Sequence, residues 1–371
     1  MRYIVLFLIC SIAYGADYYV DGDNGNDLNG GTNNTTDEWA TIDHAVDTAP
    51  NGSVIYVQNN GTTVYAEAVS ISDKTLTITG YGTSVGDNVR VIIDPSGLGA
   101  HGLSWANVNY RSLSLNNIQI QNSDQDGLYC DGLDFWRQGI VKVINCYFLN
   151  NTLHGTYTQR LWIFNFYRCV AFNNGSSGFH SLTSDSNTTQ AAIFHSCIAY
   201  NNGGNGFNGA GLRDLAYTCL SVHNGANGFY RLCTMGCIAD ANTGDGFSSI
   251  VSGAATCIAT RNGGYGFTPW WEAFTENIFV GSGVWANTSG GSSIPTQLGD
   301  QGIIAGEPQF IAPYSMGVLE NWEDFNYGTQ PGSSAQGLSQ RIGLYEYGST
   351  YSYADAGIQH VDNTIMIVIE D

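Results

Sequence analysis

The chain has 371 residues, of which 43% are hydrophobic and only 12% are charged, so it is long enough to bury an extended core. Its 32 acidic and 12 basic residues give a formal net charge of −20 at pH 7. A surface with this charge repels phosphate backbones and anionic lipid headgroups, which excludes nucleic acid as an expected partner. Asn, Gly, Ser and Thr supply most of the polar surface, and this composition favours neutral, hydrogen-bonding contacts.

The first 16 residues have the pattern of a secretory signal peptide. Arg2 precedes an apolar run from Tyr3 to Ala13, and the small residues Gly15 and Ala16 follow. The run is too short to span a bilayer, so no membrane span is expected. This pattern predicts export to the extracellular space. A second interpretation is that residues 1–16 are retained as a hydrophobic leader, as in a virion protein assembled inside a cell.

Residues 17–68 are expected to form an N-terminal cap and the first coil of the fold. The order is a strand, an acidic turn, a helix and another strand. The helix is expected to begin near Thr41 and to end before the turn residues Pro50, Asn51 and Gly52. Such a cap covers strand edges that would otherwise pair with other chains.

The acidic turn is the only candidate metal site in the sequence. Asp21, Asp23 and Asp27 bring together carboxylate oxygens, which are the ligands that Ca²⁺ prefers, although their spacing is not that of an EF-hand loop. The alternative interpretation is a turn built from Asn, Asp and Gly, residues that tolerate left-handed backbone. Calcium is therefore the one cofactor that the sequence suggests, and no other is expected.

One phrase recurs seven times between Ile118 and Phe267: Cys, apolar, small, two variable residues, Asn, three variable residues, Gly and Phe. The anchor positions are Ile118, Cys146, Cys169, Cys197, Cys219, Cys237 and Cys257. The glycines, nine positions later, are Gly127, Gly155, Gly178, Gly206, Gly228, Gly246 and Gly266. The asparagines are Asn151, Asn174, Asn202, Asn224, Asn242 and Asn262. The spacing between copies is too irregular for helical hairpin repeats and indicates a solenoid of short strands.

Stacked coils place equivalent side chains about 4.8 Å apart, so each column of the phrase has a predicted structural role. Asn amides can form a hydrogen-bonded ladder, while Cys and Phe pile up inside. The glycine column is expected to mark a corner with positive φ, because glycine reaches that region without a Cβ penalty.

These motifs resemble the right-handed parallel β-helix repeat family of the pectate-lyase-like superfamily, from Asp17 to about Phe267. The matching text includes "YYVDGDNGNDLNGGT", "WATIDHAVDTAPNGSVIYV" and repeats such as "CVAFNNGSSGF". The resemblance implies an all-β, right-handed, single-stranded parallel β-helix with an N-terminal helical cap. Its coils are expected over residues 69–267, followed by an irregular C-terminal cap or oligomerisation segment over 268–371. The superfamily holds lyases, hydrolases, epimerases, adhesins and phage tailspikes, so the fold does not decide the function.

The nine cysteines are expected to be mostly free and buried. Cys10 lies in the leader, and six others lie on the anchor column. Stacked cysteines have parallel Cβ vectors, which fit poorly with the dihedral angle of a disulfide, so they are expected to act as small hydrophobes. Cys130 and Cys233 are off the column and are the expected participants in any bridge.

Asp131, Asp134 and Arg137 form a candidate catalytic group in a loop between coils. Paired carboxylates serve acid/base chemistry on glycosides, and an Arg beside them could stabilise a uronic acid. The alternative is a solvated turn with a salt bridge. The motifs that mark pectin-degrading members of the superfamily are absent from the sequence, so whether the chain is an enzyme stays open.

Aromatic residues suggest a carbohydrate-binding surface. Trp136 and Trp162 precede coil anchors, while Trp270 and Trp271 follow the last coil beside Glu272. Flat rings stack on the apolar faces of sugars, and neighbouring polar side chains bind the hydroxyls. The alternative is that Trp270 and Trp271 cap the core.

Two functional hypotheses follow from the sequence. The first is an extracellular or virion-surface protein, adhesin-like or tailspike-like, that binds a polysaccharide or cell-surface glycan along the solenoid flank. The second is a secreted polysaccharide lyase or glycoside hydrolase. A homotrimer is expected for a tailspike-like protein, and a monomer otherwise.

The state of the leader is a testable prediction. Mass spectrometry of the native protein should show a chain that starts at Ala16 or Asp17, because the leader has the length and small-residue end of a cleaved signal peptide. An intact Met1 would contradict export by this route and favour assembly within a virion.

Overall fold

The computed structural model describes residues 15–59, 63–82, 90–106, 111–132, 139–160, 163–182, 191–209, 214–250, 254–269, 283–292, 304–305, 310–312 and 326–329. Over these ranges the chain winds through three parallel sheets, and each full coil contributes one strand to each sheet in turn. We name the sheets A, B and C in the order in which a coil visits them. The predicted right-handed parallel β-helix is confirmed.

Each sheet is a stack of short strands in register. Sheet A contains β1 (Asp17–Asp21), β2 (Ser53–Gln58), β5 (Leu76–Tyr81), β8 (Ser112–Asn116), β11 (Ile140–Ile144), β14 (Ile163–Tyr167), β17 (Ala191–His195), β20 (Leu215–Tyr217), β23 (Cys233–Met235) and β26 (Ala254–Ala255). Sheet B contains β3 (Val64–Tyr65), β6 (Val91–Ile93), β9 (Ile118–Gln121), β12 (Tyr147–Leu149), β15 (Val170–Phe172), β18 (Ile198–Tyr200), β21 (Leu220–Val222), β24 (Ile238–Asp240), β27 (Ile258–Thr260), β29 (Gly283–Trp285) and β31 (Ile304–Ala305). Sheet C contains β4 (Val69–Ser72), β7 (Leu103–Ala106), β10 (Leu128–Asp131), β13 (Thr156–Gln159), β16 (Phe179–Leu182), β19 (Phe207–Asn208), β22 (Phe229–Tyr230), β25 (Phe247–Ile250), β28 (Tyr265–Pro269) and β30 (Gly290–Ser292). Two further strands, β32 (Phe310–Ala312) and β33 (Asn326–Thr329), pair antiparallel with each other.

The helix α1 (Ile42–Thr48) forms the N-terminal cap that the sequence predicts. Thr41 is its N-cap, and the Thr41 hydroxyl accepts a hydrogen bond from the backbone N–H of His44 at 3.2 Å. The helix buries Ile42, Ala45 and Val46 at the end of the core. No helix in the described part of the chain is long and apolar enough to cross a membrane.

A column of phenylalanine rings fills the core beside sheet C. The rings are Phe179, Phe207, Phe229, Phe247 and Phe267. Successive ring centroids are 4.9 to 5.0 Å apart and the ring planes differ by 3° to 11°. All five rings are fully buried, and each buried Phe stabilises the fold by roughly 1.5–3 kcal/mol.

All eight cysteines among the described residues are free. The six on the anchor column are buried, and the Cys146 thiol donates to the carbonyl oxygen of Ile144 at 3.2 Å. Burial raises the pKa of Cys146 to about 12, so the thiol stays protonated. Cys130 and Cys233, the expected participants in any bridge, are also unbridged.

The predicted asparagine ladder runs through the buried turn after sheet B. The Asn202 side-chain oxygen accepts from the Asn174 amide at 2.8 Å and from the Asn174 backbone N–H at 3.1 Å. The Asn174 amide also donates to the carbonyl oxygen of Phe148 at 3.0 Å. Each amide therefore bonds to the coils on both sides of it. Asn287 adds a rung beyond the predicted ladder, since it accepts from the Asn262 amide at 2.8 Å.

The solenoid also continues past Phe267, where the sequence phrase ends. Strands β29 and β31 extend sheet B, and strand β30 extends sheet C. The Asn287 rung lies between β29 and β30. Residues 268–371 therefore begin with further stacked strands.

The predicted reason for the glycine column is wrong. None of its glycines has positive φ. A Cβ on Gly178 would lie 2.8 Å from the Asn202 amide nitrogen and 2.9 Å from the Gly206 carbonyl oxygen, so glycine is required by the closeness of the next coil. Positive φ occurs instead at residues that directly follow a strand, such as Asn150 (φ 54°) after β12 and Ala241 (φ 52°) after β24.

This distinction predicts different effects of two substitutions on the free energy of unfolding. Gly178→Ala should lower the free energy of unfolding by roughly 1–3 kcal/mol, because the added methyl overpacks a rigid backbone. Ala241→Gly should leave it unchanged or raise it by less than about 1 kcal/mol, because glycine relieves the left-handed strain but loses more backbone entropy. Urea unfolding midpoints measure both. Equal destabilisation by the two variants would contradict the assignment.

Candidate functional site

The outer side of sheet C carries a row of polar and aromatic side chains. Along each strand of this sheet, residues alternate between the core and the outside, as Leu128 and Cys130 are buried while Tyr129 is half-buried. Register places one outward residue of each coil over the next. We call this row the sheet C face: Ser104, Tyr129, Tyr157, His180, Asn208 and Tyr230.

The rings of this face stack on one another. The Tyr129 ring lies 4.4 Å from the His101 ring and 5.6 Å from the Tyr157 ring, with interplanar angles of 15° and 10°. His180 continues the row at 5.0 Å from Tyr157, with a tilt of 49°. Because stacked rings cover each other's faces, a ligand meets mainly ring edges and their polar atoms. The face is therefore suited to hydrogen bonding more than to ring stacking.

An ion pair lies at the edge of the face, between Asp131 at the end of β10 and Arg160 after β13. The Arg160 Nε donates to Asp131 Oδ1 at 2.8 Å, and an Arg160 terminal nitrogen donates to Oδ2. The Asp131 carboxylate also accepts from Gln159 at 3.0 Å and from the Tyr129 hydroxyl at 3.3 Å. Asp131 is only 4% exposed. Arg160 compensates the charge of this carboxylate, and its several donors leave it poorly placed to act as a free base.

Burial shifts the pKa values of several titratable groups on or beside the face. Burial, with a smaller effect of His154, lowers the pKa of His180 to about 4. Burial also lowers the pKa of His154. The pKa of Tyr129 is raised, first by burial and then by the charge of Asp131. Charged groups also lie beside the row: the Asp131–Arg160 pair, Asp126 at 3.2 Å from His101, and the Arg231 guanidinium at 5.3 Å from the centre of the Tyr230 ring.

The structure describes Asp131 but not the other residues of the predicted catalytic and aromatic sites. Outside the described residues lie Asp134, Trp136, Arg137, Trp162, Trp270, Trp271 and Glu272. These assignments stay predictions. The sequence reasoning missed Arg160, although the spacing of the repeat could have identified it. Asp131 and Gln159 each lie four residues after a column glycine, so they stack on each other. Arg160 follows Gln159 and therefore comes next to Asp131.

The carboxylates of the predicted calcium turn accept hydrogen bonds from the turn itself and from neighbouring segments. Asp21 accepts from the backbone N–H of Asp23 at 2.9 Å, and Asp23 accepts from the Thr63 hydroxyl at 2.8 Å. Asp27 accepts from the backbone N–H of Thr41 at 3.0 Å, at the start of α1. In the described ranges, no group of three or more His, Cys, Asp or Glu side chains could hold a metal ion. This geometry favours the structural interpretation of the turn, and calcium binding stays untested.

Comparison with solved structures identifies the fold. The chain aligns with pectate lyase Pel9A at a TM-score of 0.53 and 15% identity, over 87% of this chain and 91% of the lyase. The fold is that of the pectate-lyase-like parallel β-helix. Rhamnogalacturonan lyase aligns at a TM-score of 0.39 and 13% identity, over 83% of this chain and 93% of that one. The A-module of Azotobacter vinelandii mannuronan C-5 epimerase AlgE6 aligns at a TM-score of 0.37 and 13% identity, over 79% of this chain and 100% of the module. Neither a family model nor a curated protein sequence matches this β-helix.

The pKa of His180 predicts a pH dependence of stability. Its folded pKa of about 4 lies below the ordinary value of 6.5, so the unfolded chain takes up the proton first as the pH falls. The contribution of neutral, buried His180 to the free energy of unfolding is complete above pH 6.5 and is lost between pH 6.5 and about 4. Asn208 occupies the equivalent position in the next coil, so asparagine fits this row. His180→Asn should therefore remove the loss of stability between pH 6.5 and about 4.

The measurement is the urea unfolding midpoint of His180→Asn minus that of the native chain, at several pH values. This difference should shift in favour of the variant as the pH falls from 7.5 to 4.5. A constant difference would contradict the burial of His180 as a neutral group.

Proposed function

We propose that this protein binds a polysaccharide or cell-surface glycan along the sheet C face. The observation that carries the proposal is the aligned row of half-buried Tyr, His, Asn and Ser side chains on six successive coils. A row that repeats once per coil suits a ligand that is itself a chain with recurring hydrogen-bonding groups.

The electrostatics of the face support a hydroxyl-rich ligand. The imidazole of His180 is neutral near pH 7, and the charge of Arg160 is compensated by Asp131. The whole chain carries a formal charge of −20, which repels polyuronates unless cations intervene. Neutral glycans are therefore favoured over acidic ones. One solved structure with the same fold is a pectate lyase, which is consistent with a carbohydrate ligand.

The geometry favours binding over catalysis. Asp131, the one described member of the predicted catalytic group, is paired with Arg160 and accepts further bonds from Gln159 and Tyr129. General acid/base work needs a carboxyl group that can exchange a proton with the substrate. We therefore place the secreted lyase or hydrolase second and the adhesin-like or tailspike-like binding protein first. The proposed setting is outside the cell or on a virion surface.

The binding proposal predicts the effect of removing one hydroxyl from the face. Tyr157→Phe should weaken glycan binding by about 3- to 20-fold, because the ring remains while one donor and acceptor is lost. Tyr56→Phe, the same change on sheet A, should leave binding unchanged. Glycan-array screening followed by titration with the best ligand measures both, with thermal melting as a control for folding. Equal affinity of Tyr157→Phe and the native chain would contradict the proposed face.

An activity test separates the two hypotheses. The chain is incubated with a panel of polysaccharides while the absorbance of unsaturated uronates and the release of reducing ends are followed. Turnover that Asp131→Asn abolishes in a folded variant would overturn the binding-only proposal in favour of an enzyme.

A further inference from the structure

A second ladder of hydrogen bonds runs through the residues that directly precede the column glycines, at the edge where each coil enters sheet C. Along the described coils, the side chain at this position accepts from the backbone N–H of the equivalent residue in the next coil, at 2.8 to 3.2 Å. The accepting side chains are His101, Asp126, His154, Asn205, Asn227 and Asp245. This position of the repeat therefore favours a side chain that can accept a hydrogen bond.

His154 fills the acceptor position with a ring nitrogen. Its Nδ1 accepts from the backbone N–H of Ser177 at 3.1 Å. Ser177 is only 3% exposed, so its N–H would be costly to leave without this acceptor. Burial lowers the pKa of His154, so the imidazole is neutral near neutral pH. A neutral imidazole has one N–H donor and one acceptor nitrogen, and since Nδ1 accepts, the proton is on Nε2.

The ladder fixes the proton of His154 but not that of His101. The Nδ1 of His101 lies 3.2 Å from the backbone nitrogen of Asp126 and also 3.2 Å from Asp126 Oδ2, so either form of this nitrogen has a partner. Within the described ranges, the bond from Ser177 is the only hydrogen bond of the His154 ring. The Nε2–H of His154 is therefore left to bind a ligand.

The His154 ring lies against the sheet C face. Its centroid is 5.5 Å from that of the Tyr157 ring and 4.5 Å from that of the His180 ring, to which it is nearly perpendicular at 89°. The His154 side chain is half-buried, so part of the ring reaches solvent. A ligand that lies along the face contacts this part of the ring.

We infer that His154 is a binding residue of the glycan site and that its Nε2–H donates to an oxygen of the sugar chain. This inference rests on the proposed function and adds to it a donor beside the sheet C face. The ladder sets the tautomer before the ligand arrives, so binding does not have to select it. Because a protonated ring nitrogen cannot accept, the ligand must present an acceptor such as a hydroxyl or ring oxygen.

The tautomer can be measured without a ligand. NMR of the isotope-labelled full chain at pH 7.5 reports the chemical shifts of the imidazole nitrogens, which differ strongly between protonated and unprotonated nitrogens. The signals missing from the spectrum of His154→Asn are those of His154. We expect a proton on Nε2 and none on Nδ1. A proton on Nδ1, in the other tautomer or in a charged ring, would overturn the inference.

Two substitutions separate ligand binding from the ladder. Asn205 and Asn227 occupy the same position in later coils, where the side-chain oxygen accepts as His154 Nδ1 does. His154→Asn should therefore keep the urea unfolding midpoint and weaken glycan binding by about 3- to 10-fold, because one donor is lost. His154→Ala should weaken binding as much and also lower the midpoint, because the Ser177 N–H loses its acceptor.

The outcomes distinguish this inference from the proposed function. Weaker binding by folded His154→Asn, together with a change in the Nε2 signal when the best glycan is added to the native chain, supports the inference. If the native chain binds a glycan and His154→Asn binds it equally well, or if the Nε2 signal does not move at saturation, the inference is wrong and the proposed function stands. A native chain that binds no glycan contradicts both.

Discussion

The stacking distance between coils governs the rest of the structure. Parallel strands lie about 4.8 Å apart, so every side chain sits over its counterpart in the next coil. A Cβ on Gly178 would approach the next coil's backbone to 2.9 Å, and a ladder asparagine such as Asn202 bonds to the asparagine stacked on it at 2.9 Å. The repeat in the sequence is the direct result of this fixed distance.

The same constraint leaves the outer faces free to differ. Inside the solenoid, from β15 and β16 onward, large rings such as Phe207 line sheet C and small residues such as Ala199 line sheet B. Outside, nothing in the stacking fixes the side chain, and the coils carry stacked Tyr and His on sheet C but buried Ile and Leu on sheet B. The outer rows are therefore where successive coils differ most.

Much of the fold could be predicted from the sequence because each stacked column recurs there as one residue type at a fixed position of the repeat. The helical cap at Thr41, the Asn ladder and the Phe column all follow from local spacing. The physical reason for the glycine column could not be predicted, because a contact between coils depends on the distance between the coils and not on local backbone preference. Asn287 was missed because the phrase around it lacks both the Cys anchor and the final Phe.

The candidate site was harder to predict for a related reason. Asp131 and Arg160 are 29 residues apart and meet only because β10 and β13 pair in register. Loops of variable length separate successive strands, so distance along the chain says little about distance in space. The repeat phase corrects for this, since counting from the column glycine places Gln159 over Asp131 whatever the loop length. In a solenoid, the position within the coil is therefore a better guide to a site than clustering in the sequence, and it points to the sheet C face.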